Sequence, residues 1–411
     1  MVSRLSLSAR ILLAIVVGVV TGLIFGERAS PFGELGRVVI QLIKAVATPL
    51  VFLVVVNAVL QTNVELRSGA RLLKWAAVNA SIALTIGLTL SNLIQPGHHL
   101  AHVTFQEPQE MAAYAGRALN LWGVLGNFIP TSVVAPFLEN QILAIVVIAL
   151  LFGFGLKRAG REAAFESGAR TVEAGLASLL RVVEIILTWV ITLIPFAVFG
   201  VVARAVGEHG FTPLKGLGVY VGVGLLGLAL HITLTYQAWL VIFAKRSLRS
   251  FWQEAKEPVI YAMGANSSLA TLPVTLRALD HLGVSKQAST LGAVVGTNFN
   301  NDGIILYEGM AVLFVAQASG IDLTIGQQIL AAASCMVAAM GVAGVPEAGF
   351  ISLALVLNTV GLPVEILPLL LTVDWIIARG RSVTNVLSDM MLSILVDGPP
   401  ATTIQSSSAG Q

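Results

Sequence analysis

Apolar residues run uninterrupted by formal charge through residues 11–26, 45–64, 75–97, 140–156, 185–203 and 216–244. Each stretch is near or above the length that an α-helix needs to cross hydrocarbon, about 20 residues. The pattern therefore predicts six membrane-crossing helices before residue 250. After that point the texture changes. Two segments carry Gly, Pro, Ser and Asn in their middles, GANSSLATLPVT (264–275) and GVAGVPEAG (341–349), each between apolar arms too short to span alone. Irregular backbone at membrane depth is tolerated only where protein or a wet cavity satisfies its polar groups. Paired interruptions of this kind predict re-entrant helical hairpins in two repeated halves around a transporter binding site.

Between the two hairpins lies a broken span, GTNFNNDGIILYEGMAVLFVAQ (296–317). Asn298, Asn300, Asn301 and Asp302 crowd its Gly-punctuated turn and offer carbonyl and carboxylate oxygens, the donors that hard cations take. The same residues also suit a loop turn with Asn and Gly in left-handed positions, but a loop is hard to place between arms this apolar. The last apolar helix contains VDWIIARGRSVTNVLSD (373–389). There Asp374, Ala378, Arg381, Asn385 and Asp389 follow at spacings of four, three, four and four, and so share one helical face. Two carboxylates, a guanidinium and an amide on one intramembrane face mark a functional site by default.

Composition agrees with the pattern. Of 411 residues, 56% are hydrophobic and 11% charged, against about a quarter charged in soluble domains. The chain reads as an all-α polytopic membrane protein. A net charge of +2 gives no argument for a nucleic-acid partner, and the single cysteine, Cys335, excludes an intrachain disulfide and reads as a small buried residue. With one cysteine there is no Cys pair to complete a zinc site, and no resident cofactor is expected. His98, His99 and His102 fall in the irregular stretch 98–138, broken by Pro108, Pro130 and Pro136, and read as part of a solvated loop. The N-terminal MVSRLSLSAR followed by ILLAIVVGVVTGLIFG resembles a signal peptide, but lacks a convincing cleavage site and reads as a first transmembrane helix. Basic residues gather in alternate connections: Arg4 and Arg10; Arg67, Arg71 and Lys74; Lys157, Arg158, Arg161 and Arg170; Lys245, Arg246, Arg249 and Lys256. The positive-inside rule then places the N-terminus in the cytoplasm of a multi-pass protein of the cell (inner) membrane.

Four motifs together carry a family resemblance. SSLATLPVT resembles the serine-rich first hairpin tip of the glutamate transporter and dicarboxylate/amino acid:cation symporter family, and NFNNDG resembles its Asn-Met-Asp-Gly turn. AGVPEAG resembles its second hairpin tip, and RSVTNVLSD its eighth-helix signature Arg-Thr-x-x-Asn-x-x-x-Asp. They stand in the family's order over roughly residues 250–398. The resemblance implies eight transmembrane helices plus two re-entrant hairpins, inverted repeats, and a homotrimer working by an elevator mechanism. Its division would be scaffold helices one and two over 1–72, transport-domain helix three over 73–97, scaffold helices four and five over 98–210, and the rest of the transport domain over 211–411. The last part would hold helix six, hairpin one (about 250–284), helix seven (about 286–318), hairpin two (about 324–361), helix eight (about 364–398) and a short tail.

Carried over residue by residue, the resemblance implies that Arg381 grips one substrate carboxylate and Asn385 holds the other end. Ser267, Ser268 and Leu269 of the first tip, and Val345, Pro346 and Gly349 of the second, would close over the ligand, with Ile304 and Ala378 lining it. One sodium site would use Asp389 with carbonyls of Gly296, Asn300 and Asn385. A second would use carbonyls of Asn298, Ala339, Met340 and Val342. A third would use Asp302 and Asn300 near helix three, where Ala76, Asn79 and Ala80 replace the family's Tyr, Thr and Ser and only Asn79 keeps an oxygen. Amino acid carriers of the family have an aspartate at the Ala378 position to receive the substrate ammonium. Its absence favours an amine-free anion such as a C4-dicarboxylate, since an unpaired buried charge is costly. Arg379, off the stripe by about 160°, is expected to compensate Asp302, Asp389 or Glu347, and Glu347 itself to gate or couple. The expected function is a symporter driven by sodium, with or without protons. The alternatives are an acidic or neutral amino acid:sodium symporter and an anion channel. An intramembrane enzyme is disfavoured, because Ser267 and Ser268 have no His or Lys base nearby in sequence.

Overall fold

The computed structural model describes residues 7–61, 66–100, 130, 132–139, 141–298, 300–340 and 348–399, and every regular element among them is helical. The helix α1 (Leu7–Phe25) leads through a 3-10 segment, Gly26–Gly33, into α2 (Glu34–Gln61) and then α3 (Leu66–Ile94). Next come α4 (Ile142–Ala159), α5 (Glu166–Ile191), α6 (Ile194–His209) and α7 (Thr212–Leu230). The helix α7 continues through two π-helical turns, His231–Tyr236 and Trp239–Phe243. Then follow α8 (Leu248–Ala265) and α9 (Ser268–His281), a short helix Lys286–Ser289, a π turn Thr290–Val295 and a 3-10 turn Gly296–Asn298. The chain closes with α10 (Asp302–Ala318), α11 (Ile325–Met340), α12 (Ala348–Thr359) and α13 (Leu367–Asp397).

The apolar stretch 185–203 is not one helix. The helix α5 ends at Ile191, and α6 restarts at Ile194 with Pro195 in its first turn. Inside a helix that proline would lack a donor and its ring would collide with the carbonyl four residues back, whereas a first turn accommodates it. The composition that predicted a span concealed this stop.

Surface and interior are inverted relative to a soluble protein. The helix α1 turns Val16 (60% exposed) and Ile24 (70% exposed) outward while packing its other face on α6. A broad apolar outer face is what hydrocarbon wants. In contrast α10 is buried along almost its whole length, Asp302 and Glu308 included, as a helix apolar on every side requires. It lies against α3, α12 and α13. The helix α13 contacts α8, α9, α10, α7 and the π turn 290–295, so its polar stripe is surrounded by protein. The α8–α9 pair is antiparallel: Arg277 meets Glu257 at 3.2 Å and, further from the tip, His281 meets Glu254 at 3.0 Å.

Candidate functional site

The site grows from the turn at 300–302, where the chain leaves helical geometry and resumes it at Asp302. Asn301 sits there at φ −117°, ψ 56°, and side chains do what helical hydrogen bonds cannot. The Gly303 N–H donates to Asn385 Oδ1 at 2.8 Å. Asn385 Nδ2 reaches Asn301 Oδ1 at 3.4 Å, and Asn301 Nδ2 donates to the Ala339 carbonyl at 3.0 Å. Asn300 Nδ2 donates to Ser388 Oγ at 2.6 Å, and Ser388 Oγ donates to Asp302 Oδ2. Asn385 thus fastens the turn to α13 as well as lying on the stripe. A Cβ on Gly303 would come within 2.6 Å of the Arg381 carbonyl oxygen, so the two backbones meet where only glycine fits.

Arg381 is the one lysine or arginine among the described buried residues, at 4% exposure. Its Nη1 and Nη2 donate to Asp374 Oδ1 and Oδ2 at 2.7 and 2.9 Å, the bidentate fork that suits guanidinium and carboxylate. The guanidinium also lies 4.1 Å from the centre of the Tyr307 ring. Gly349 packs against it, since a Cβ there would stand 3.0 Å from Arg381 Cζ.

Carboxyl groups outnumber that guanidinium. Asp302, Glu308, Asp374 and Asp389 are all buried. Four of the acceptor atoms here, Asn300 Oδ1, Asp302 Oδ1, Glu308 Oε2 and Asp389 Oδ1, are buried with no hydrogen-bond partner. Buried polar atoms are nearly always satisfied, and orphan oxygens that can only accept are what a hard cation binds. Of the other expected cation ligands, the Gly296 carbonyl accepts from the Asn300 N–H at 2.8 Å, Asn298 closes the 3-10 turn and Met340 ends α11. Asn79 Oδ1 accepts from Trp239 Nε1 at 2.7 Å, and the neighbouring Ala76 and Ala80 side chains bring no oxygen. The third expected site is therefore left without a free side-chain oxygen from Ala76, Asn79 or Ala80.

At the first hairpin tip Asn266 adopts a left-handed conformation, φ 50°, ψ 38°, and accepts from Ser382 Oγ at 3.0 Å. Ser267 caps α9 by accepting from the Ala270 N–H at 3.2 Å. Ser268 and Leu269 open that helix, where backbone N–H groups have no partner within the helix. Ile304 and Ala378 are buried. Arg379 does not pair with Asp302 or Asp389. It donates to the Trp375 carbonyl at 2.5 Å and lies 5.5 Å from that residue's ring centre, because 160° of helix rotation carries it away from the stripe. Val342, Val345, Pro346 and Glu347 lie outside the described residues, as does His102, while His98 and His99 belong to the turn Pro96–Leu100. No group of three or more His, Cys, Asp or Glu side chains placed to hold a metal ion occurs among the described residues.

Sequence reasoning missed Glu308, which accepts from Ser352 Oγ deep in α10, and His231 and Tyr236, which both reach Asp302. Each had a signal: an ionisable residue or a histidine inside an otherwise apolar run.

Comparison with known proteins finds relatives along nearly the whole chain. The sodium:dicarboxylate symporter family profile matches residues 7–398. The chain is 30% identical over 398 residues to a C4-dicarboxylate transport protein of Deinococcus radiodurans, covering 95% of this chain and 88% of the relative. It is 31% identical over 398 residues to C4-dicarboxylate transport protein 3 of Ralstonia nicotianae, with the same coverage. It is also 31% identical over 401 residues to a C4-dicarboxylate transport protein of Rhodospirillum rubrum, covering 95% and 87%. With an all-helical fold, an apolar outer face and a buried polar core matched along nearly its whole length, this chain is a membrane transport protein, not an enzyme, and belongs to the sodium:dicarboxylate symporter family.

Proposed function

We propose that this chain is a secondary active symporter that carries a C4-dicarboxylate or related organic acid across the cell inner membrane, coupled to sodium. The relatives' names support the substrate class, and Ala378, which offers no carboxylate to an ammonium, supports an amine-free acid. Arg381 takes one substrate carboxylate in place of Asp374, because the incoming group presents the same planar fork. The first hairpin tip and the α12 end at Gly349 close on the ligand. Asn300, Asp302 and Asp389 hold the coupling ions.

The observation that carries this reading is the imbalance of buried charge. Four buried carboxyl groups stand against one buried guanidinium, and four of the site's oxygens lack a donor. Adding a dianion to such a site is unfavourable unless cations arrive with it, and a cation bound at those oxygens offsets both charges at once. The transport unit comprises α3, α7 with its π turns, and 248–398, divided from scaffold helices as the family's domain pattern implies. It moves as an elevator within a homotrimer of eight-span subunits with two re-entrant hairpins, each with its N-terminus in the cytoplasm.

Proteoliposomes of purified protein, given labelled succinate, fumarate, aspartate and glutamate with and without an inward sodium gradient, test this. Succinate or fumarate accumulates above its equilibrium level only with the gradient, and Arg381→Ala abolishes uptake. Aspartate or glutamate uptake alone would refute the substrate class. Equilibration without accumulation would indicate a channel.

A further inference from the structure

His231 and Tyr236 take no part in the substrate grip, yet both are fully buried and both reach the acidic turn. Tyr236 Oη donates to Asp302 Oδ2 at 3.0 Å, with the Thr384 carbonyl 3.3 Å away. His231 Nε2 lies 3.3 Å from the same Oδ2, and its Nδ1 is 3.2 Å from Thr235 Oγ1. One tautomer serves both contacts, with Nε2–H donating to the carboxylate and Nδ1 accepting from the threonine. Ser388 Oγ donates to Oδ2 as well. All three donors therefore address one carboxylate oxygen, and Oδ1 has none.

The backbone explains how two residues of one helix reach a single atom. In an α-helix, residues five apart diverge by about 140°. A π turn closes i→i+5 hydrogen bonds and brings such residues toward one face, and π insertions recur at functional sites. His231 and Tyr236 are the first and last residues of the π turn that continues α7, and their rings meet edge-on with centroids 4.9 Å apart. Helix α3, which packs against the same π turn, supplies alanines at Ala76 and Ala80 and an Asn79 whose oxygen is committed to Trp239. The carboxylate is held from α7 and α13, not from α3.

We propose that His231 and Tyr236 are positioning residues for a coupling cation at Asp302, occupying Oδ2 and thereby presenting Oδ1 to the ion. This rests on the sodium-symporter reading. Partners that orient a metal ligand are typically worth about 10- to 100-fold in ion affinity. The test is thermal unfolding of the purified full-length protein titrated with sodium chloride against choline chloride. Tyr236→Phe, which removes one oxygen and keeps the ring, and His231→Ala shift the midpoint of sodium-dependent stabilisation to at least about tenfold higher sodium. His231→Gln, which retains an N–H donor, stays near the wild-type midpoint. A purely structural role would instead lower the unfolding temperature equally in sodium and choline with the midpoint unchanged, and that result overturns the proposal. A wild-type protein indifferent to sodium would sink the coupling reading and this inference together. A sodium-responsive wild type with unshifted variants sinks only the inference.

Discussion

Asp374 and Arg381 stand seven residues apart on α13, two turns of one stripe, and in this structure each satisfies the other. On the proposed function a substrate carboxylate displaces Asp374 to reach the guanidinium, so Asp374 competes with substrate. Replacing it with an amide leaves the buried guanidinium without a counter-charge, a loss of about 3–5 kcal/mol for a broken buried pair, which a bound dicarboxylate would restore. The purified Asp374→Asn variant should therefore unfold at lower temperature than wild type without ligand, yet gain more degrees from saturating succinate. A succinate-induced rise no larger than that of wild type would refute the exchange. The stripe itself was legible in the sequence, because helical period alone places Asp374, Arg381, Asn385 and Asp389 on one face. The pairing was not, since period gives a face and not a rotamer. Nor could period connect His231 and Asp302, which lie 71 residues apart and meet only through packing.

Among the elements, most helices were visible as apolar runs, the interruption 264–275 holds the end of α8 and the start of α9, and the broken span 296–317 resumes as α10 at Asp302, while residues 341–347 of the second interruption lie outside the described residues. The division between α5 and α6 escaped because hydropathy averages over Pro195, whose effect is stereochemical. The π turns escaped because composition does not distinguish i→i+4 from i→i+5 bonding. What joins the elements at the site is close backbone approach, and Gly303 is where α10 meets α13. A methyl group there would stand 2.6 Å from the Arg381 carbonyl oxygen, closer than packed atoms tolerate, and overpacking of this kind costs about 1–3 kcal/mol. We expect Gly303→Ala to lose most sodium-dependent succinate uptake because the turn and Asn385 separate. Gly222→Ala in α7, where an added Cβ meets nothing within 4 Å, should transport normally. Equal uptake by both variants would mean that the α10–α13 contact does not hold the site together.

For the whole molecule, the decisive feature is that a few ionisable side chains are buried among helices whose outer faces are apolar, and that these buried groups are mostly acidic. Asp302, Glu308, Asp374 and Asp389 stand against Arg381, and on the proposed function such a site accepts a dianion only together with cations. Cation and dicarboxylate then bind with a shared coupling free energy, and linkage makes that coupling reciprocal: whatever factor sodium contributes to succinate affinity, succinate contributes to sodium affinity. Calorimetric titration of succinate at two sodium concentrations ten times apart, both below saturation, measures it. One obligatory ion lowers the succinate Kd by about tenfold over that interval, and two lower it by about a hundredfold. The complementary titration of sodium, with and without succinate, must return the same total coupling. A succinate Kd indifferent to sodium would mean that the acidic residues are neutralised before substrate arrives, by protons or by an ion already bound. In that case the orphan oxygens of Asn300, Asp302 and Asp389 would need another partner, and the driving ion would have to be sought elsewhere.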